Sequence, residues 1–123
     1  MGLVYSLEST KRLIDVVGPA EARYILFSAR QVDAERALRT GLVNELHSPA
    51  DLASATYDLA FEICDRAPIS LRRTKEIVLL ILHGQSEEDA HTTELRNGSF
   101  DSADYAEGVK AFLEKRLPRF TGV

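Results

Sequence analysis

The sequence has one cysteine, no long apolar run and no surplus of positive charge. A single cysteine, Cys64, excludes an internal disulfide and fits a reducing cytoplasm. Its apolar helical neighbours read it as a small buried hydrophobe rather than a nucleophile. The longest apolar run, Ile77–Leu82, is far short of the roughly 20 residues that cross a bilayer, and no secretory signal is visible. The net charge of −4 and the lack of any long basic run argue against nucleic acid as a partner. His47, His83 and His91 stand apart near helix ends, with no carboxylate or cysteine at ligand spacing, so neither a metal centre nor a triad is expected. Alternation of strands and helices is missing too, and with it any sheet of the chain's own.

What is present is a globular balance, 45% hydrophobic and 28% charged in 123 residues, and a succession of helix signals. Ser6 caps a helix that Gly18-Pro19 interrupts, and Ala20 to Phe27, with Tyr24 and Phe27 as core aromatics, form a second, largely buried one. Asp33 caps a short helix through Arg39 that Gly41 ends. Leu42–Leu46 is the best strand candidate, though brief and without a partner. Ser48-Pro49-Ala50-Asp51 opens a helix to about Arg66, and Ala67-Pro68 separates it from one reaching His83. The middle of that helix, Ile77–Leu82, is apolar on every side and predicts a covering partner. Ser86, with Glu87, Glu88 and Asp89, opens another helix ending near Asn97-Gly98.

The last helix is the centre of the reading. Ser102 caps it, Asp104 and Glu107 suit its positive end, and Lys115 and Arg116 suit its negative end. Tyr105, Val109, Phe112 and Leu113 share one face, and Pro118 stops the helix. Its basic exit, Lys110, Lys115, Arg116 and Arg119, reads either as a solvated helix end or as a site for a phosphorylated ligand with Phe112 as the apolar wall.

Four pieces in order carry a resemblance: Gly2-Leu-Val with Thr10-Lys-Arg-Leu13 and Val17-Gly-Pro19-Ala; Asp33-Ala-Glu-x-Ala37-Leu-x-x-Gly41-Leu-Val-Asn44; Ala67-Pro68-Ile-Ser-Leu-x-x-Thr74-Lys75; and Glu107-Gly108-Val-x-Ala-Phe112-Leu-Glu-Lys115-Arg116. Together they resemble the C-terminal part of the enoyl-CoA hydratase/isomerase (crotonase) family, nearly end to end. The resemblance implies the helical C-terminal region of a ββα-spiral fold, mainly α, with little or no sheet of its own. It divides the chain into residues 1–47, helices leading out of a catalytic core, and residues 48–123, a helical oligomerisation and lid region. It implies action on acyl-CoA thioesters, with two backbone N–H groups holding the thioester oxygen and one or two glutamates moving protons.

Those catalytic groups are expected upstream of Met1, so the 123 residues are expected to be a C-terminal fragment, inactive alone. Phe112 would line the acyl or pantetheine channel, and Lys115 would meet phosphate or adenine. No cofactor is implied beyond the coenzyme A of the substrate; a cytoplasmic homo-oligomer, a trimer or hexamer, is. Where many hydratases carry a glycine-rich turn, Tyr5-Ser-Leu-Glu8-Ser9 stands here, which leaves isomerisation or another acyl-CoA reaction open beside hydration. Glu8 is offered as a substitute acid by that position and as a helix-start acid by its place in the first turn. The competing reading is a helical oligomerisation module without catalytic activity.

Overall fold

Helix after helix begins on a side chain that catches a free amide. In the computed structural model, which describes residues 2–123, the Ser6 hydroxyl accepts from the Ser9 N–H and opens α1, Leu7–Ser28. Gly18, at φ 77 and ψ 163, breaks the helical path inside α1, and Pro19 restarts it, so α1 is two helical segments about a kink. Asp33 accepts from the Arg36 N–H and opens α2, Ala34–Arg39. These elements lie in the first of two compact units, Met1–Ala53. Within it the Arg36 guanidinium forks onto the Glu21 carboxylate at 2.7 and 3.0 Å and lies 3.9 Å above the Tyr24 ring, tying α2 to the second segment of α1.

The strand expected at Leu42–Leu46 does not form. Gly41, at φ 76, turns the chain, and the amides of Leu42 and Val43 are spent on the Ala37 carbonyl at 2.9 and 3.3 Å. With the Gly41 N–H on the Leu38 carbonyl, this is the helix-ending motif in which two amides cap the last turn. The helix end therefore takes the amides a strand ladder would need, and no partner strand exists among the described residues. The second segment of α1 is also less buried than its composition suggests: Ala22 is buried, but Phe27 is 82% exposed.

The second unit, Ser54–Val123, holds the body of α3, Leu52–Cys64, and then α4, Pro68–Leu82, α5, Ala90–Asn97, and α6, Ala103–Glu114. Ser48 does take the Asp51 N–H, but regular helix starts only at Leu52. Cys64 is exposed rather than buried, because α3 buries none of its residues. α5 starts at Asp89, not Ser86: Asp89 accepts from the Thr92 N–H while the Thr92 hydroxyl accepts from the Asp89 N–H, a reciprocal cap that Ser86 cannot make from three residues away. α4 and α5 pack together through Arg73, which donates to the Leu95 carbonyl at 3.0 Å, and through His91 beside Glu76 at 2.7 Å.

Candidate functional site

α6 forms as its sequence dictates. Ser102 accepts from the Tyr105 N–H at 3.1 Å, and its own hydroxyl donates to the Ser99 carbonyl at 2.7 Å, joining the cap to the preceding turn. The helix ends earlier than Pro118. Lys115 enters the left-handed region at φ 53, and the Arg116 N–H reaches back to the Ala111 carbonyl at 3.0 Å. The stop is thus a conformational turn at Lys115, three residues ahead of the proline.

Beside α6 runs a cleft of about 510 Å³ whose walls include Phe100, Tyr105, Val109, Phe112 and Phe120. Phe100 and Tyr105 meet edge to face, centroids 5.1 Å apart at 83°, and stiffen one side. Phe112 lies in the wall, 83% exposed; Lys115 lies outside the lining, at the helix end three residues on. Among the described residues Lys115 makes no side-chain hydrogen bond or ion pair, whereas Arg116 is fully engaged: it forks onto Glu107 at 2.6 and 2.9 Å and meets Glu114 at 2.6 Å. The sequence offered Lys115 and Arg116 as equivalent cations; the geometry leaves Lys115 as the free one.

Two acids on α6 do more than suit the helix dipole. Asp104 is 2% exposed, and its carboxylate accepts from the amides of Thr121 at 2.7 Å and Gly122 at 3.1 Å. Glu107 accepts from Arg116 and from the Arg119 N–H at 2.8 Å, and these donors hold its carboxyl at about 2, far below the usual 4.5. Sequence reasoning missed both roles, because the donors lie 9 to 18 residues downstream and leave no periodic trace.

Glu8 is committed elsewhere, to an exposed pair with Arg12 at 2.6 Å one turn along α1, as its helix-start reading has it. His47 pairs with Glu45 at 2.8 Å. No three His, Cys, Asp or Glu side chains gather as a metal ion would require among the described residues, and no helix is long and apolar enough to cross a membrane.

The family whose description is enoyl-CoA hydratase/isomerase matches residues 1–123. Methylmalonyl-CoA decarboxylase of Escherichia coli is 31% identical over 99% of the chain, which covers 48% of that enzyme. (E)-Benzylidenesuccinyl-CoA hydratase of Thauera aromatica is 34% identical over 94% of the chain and 46% of its own length. The crystal structure of an enoyl-CoA hydratase from Mycobacterium tuberculosis superposes with a TM-score of 0.85 at 33% identity, covering 99% of this chain and 49% of that one. The chain thus spans about half the length of the curated relatives it matches, and the half it matches is helical.

Proposed function

Because the chain belongs to the enoyl-CoA hydratase/isomerase family over its full length, we propose that it forms the helical side of an acyl-CoA site, with hydration of an enoyl-CoA as the reaction of the whole protein. Phe112 gives an acyl or pantetheine group an apolar wall, and Lys115 offers its ammonium to phosphate. The observation that carries this reading is the conformation of Lys115. α2 and α4 end on the same two-amide motif with glycine, Gly41 and Gly84, in the left-handed position; α6 ends with a lysine there, at φ 53. A side chain in that region costs about 1–2 kcal/mol, a cost that Ala29, at φ 50, also bears at the end of α1. Of the two adjacent cations at the end of α6, the lysine so held is the one whose side chain is not already paired with a carboxylate of the helix among the described residues.

The proton-moving glutamates and the amides that stabilise the enolate-like oxygen belong, on this reading, to the other half of the fold. The 123-residue chain is therefore expected to bind a coenzyme A thioester without converting it. No cofactor enters beyond the coenzyme A of the substrate, and the whole protein works as a cytoplasmic homo-oligomer. The test is calorimetry with crotonyl-CoA, paired with its ultraviolet absorbance as a turnover assay. Binding should weaken about two- to fivefold in Lys115→Ala, the size of one exposed charge contact, with absorbance unchanged for every variant. Turnover by the chain, or affinity indifferent to both Lys115→Ala and Phe112→Ala, would sink the proposal. The second reading, a helical oligomerisation module, draws on the exposure of Val78, Leu79, Ile81 and Leu82 on α4; light scattering that gives a monomer counts against it.

A further inference from the structure

Residues 118–122 return along α6 as a strap fastened at two points. Glu107 grips the Arg119 amide, and Asp104, one helical turn earlier, grips the amides of Thr121 and Gly122. The far side of the strap is tied to α4, where Arg72 donates to the Gly122 carbonyl at 3.1 Å and Gly122, at φ 81, rests on Pro68. Between the two fastenings, Phe120 lays its ring against the α6 backbone; a Cβ on Gly108 would stand 3.6 Å from it. Phe120 therefore occupies the cleft at the level of Gly108, four residues and about 6 Å along the axis from Phe112.

Three of the polar side chains that line the cleft are already spoken for. Asp104 is consumed by the strap, Ser102 donates to the Ser99 carbonyl, and Ser99 donates to the Leu95 carbonyl at 3.0 Å. What remains, besides the Ser70 and Tyr105 hydroxyls, is an apolar channel with a free ammonium, Lys115, beyond its Phe112 end. That pairing suits a molecule with an anionic head and an unbranched apolar tail. A tail entering past Phe112 meets the Phe120 ring one turn later.

We propose that Phe120, held in place by Asp104 and Glu107, is a specificity-determining residue that closes the cleft and sets the length of apolar chain it accepts. The identity of that chain as an acyl tail rests on the acyl-CoA reading above; the closure does not. Asp104 and Glu107 are positioning residues that act through the strap.

The experiment uses the 123-residue chain and its Phe120→Ala and Phe120→Leu variants, with helix content checked by circular dichroism. Butanoyl-CoA and octanoyl-CoA are titrated by calorimetry, and 1-butanol through 1-octanol by chemical-shift changes of the cleft aromatic protons. Phe120→Ala should raise the preference for the eight-carbon over the four-carbon probe on the order of tenfold, since each added methylene finds apolar cover, with Phe120→Leu between. Asp104→Asn should shift the preference the same way and speed exchange of the Thr121 and Gly122 amides while α4 and α5 amides stay protected. A length preference that moves with the alcohols but without acyl-CoA binding keeps the closure and removes the acyl-CoA reading. Acyl-CoA binding with an unmoved length preference does the reverse. Binding of neither probe class, or a preference the same in all variants, overturns the proposal.

Discussion

Asp104 and Glu107 stand three positions apart on α6, and the difference in their surroundings gives them different tests. Asp104 is buried, so truncation strands the Thr121 and Gly122 amides away from water. Asp104→Ala should cost about 1–3 kcal/mol, read as a lower denaturation midpoint in urea with the slope nearly unchanged. Glu107 works by charge. Its carboxyl sits at about 2 in the folded chain against 4.5 ordinarily, first through Arg116 and then through the Arg119 amide. A depressed acid stabilises the fold above its unfolded value and loses that contribution as pH falls from about 4.5 through about 2. The melting-temperature gap between the native chain and Glu107→Gln should thus be full at pH 6, narrow below pH 4.5 and nearly close at pH 2. It should also shrink in high salt, because the pair faces solvent. Read from sequence, both residues are acids near the start of a helix. That is true of Asp104 and incomplete, since its partner amides are set by a chain reversal with no local signature.

At the scale of elements, caps were the most legible feature and exposure the least. Ser6, Asp33 and Ser102 each accept the amide three residues on, as a hydroxyl or carboxylate before an apolar-periodic run should. Leu42–Leu46 misled because strand composition says nothing about whether amides are free to pair, and here the end of α2 had taken them. The end of α6 invites the complementary test. Lys115→Gly removes the left-handed penalty and should stabilise the chain by about 0.5–1 kcal/mol by thermal melting, while weakening crotonyl-CoA binding if the lysine is retained for its charge. Gly98 predicts the opposite sign. A Cβ there would fall 2.7 Å from the Arg73 guanidinium and 3.1 Å from the Glu94 carbonyl. Gly98→Ala should push Arg73 off the Leu95 carbonyl and loosen α4 from α5, at a cost of about 1 kcal/mol.

At the scale of the whole molecule, the helices close over very little. The buried hydrophobic residues are Ala22, Ala37 and Ala111, and no larger side chain is fully enclosed among the described residues. The sequence announced this at one place: Ile77–Leu82 is apolar on all sides, which a surface helix has no use for, and in the structure Ile81 remains 60% exposed. It could not announce that α3 and Phe112 would be as open, because an amphipathic pattern fixes which face is apolar and not whether anything covers it. An apolar helix face left open in water should find another one. Covering a side chain such as Ile81 is worth about 1–2 kcal/mol per chain, so a handful along α4 outweighs the cost of association at micromolar concentrations. The native chain should therefore run as an oligomer in light scattering at about 100 μM, and Ile81→Glu, which asks a contact to enclose a charge, should move it toward monomer with its circular dichroism retained. A chain that scatters as a monomer with or without the glutamate would mean that α4 needs no cover, and that its apolar circumference has some use other than association.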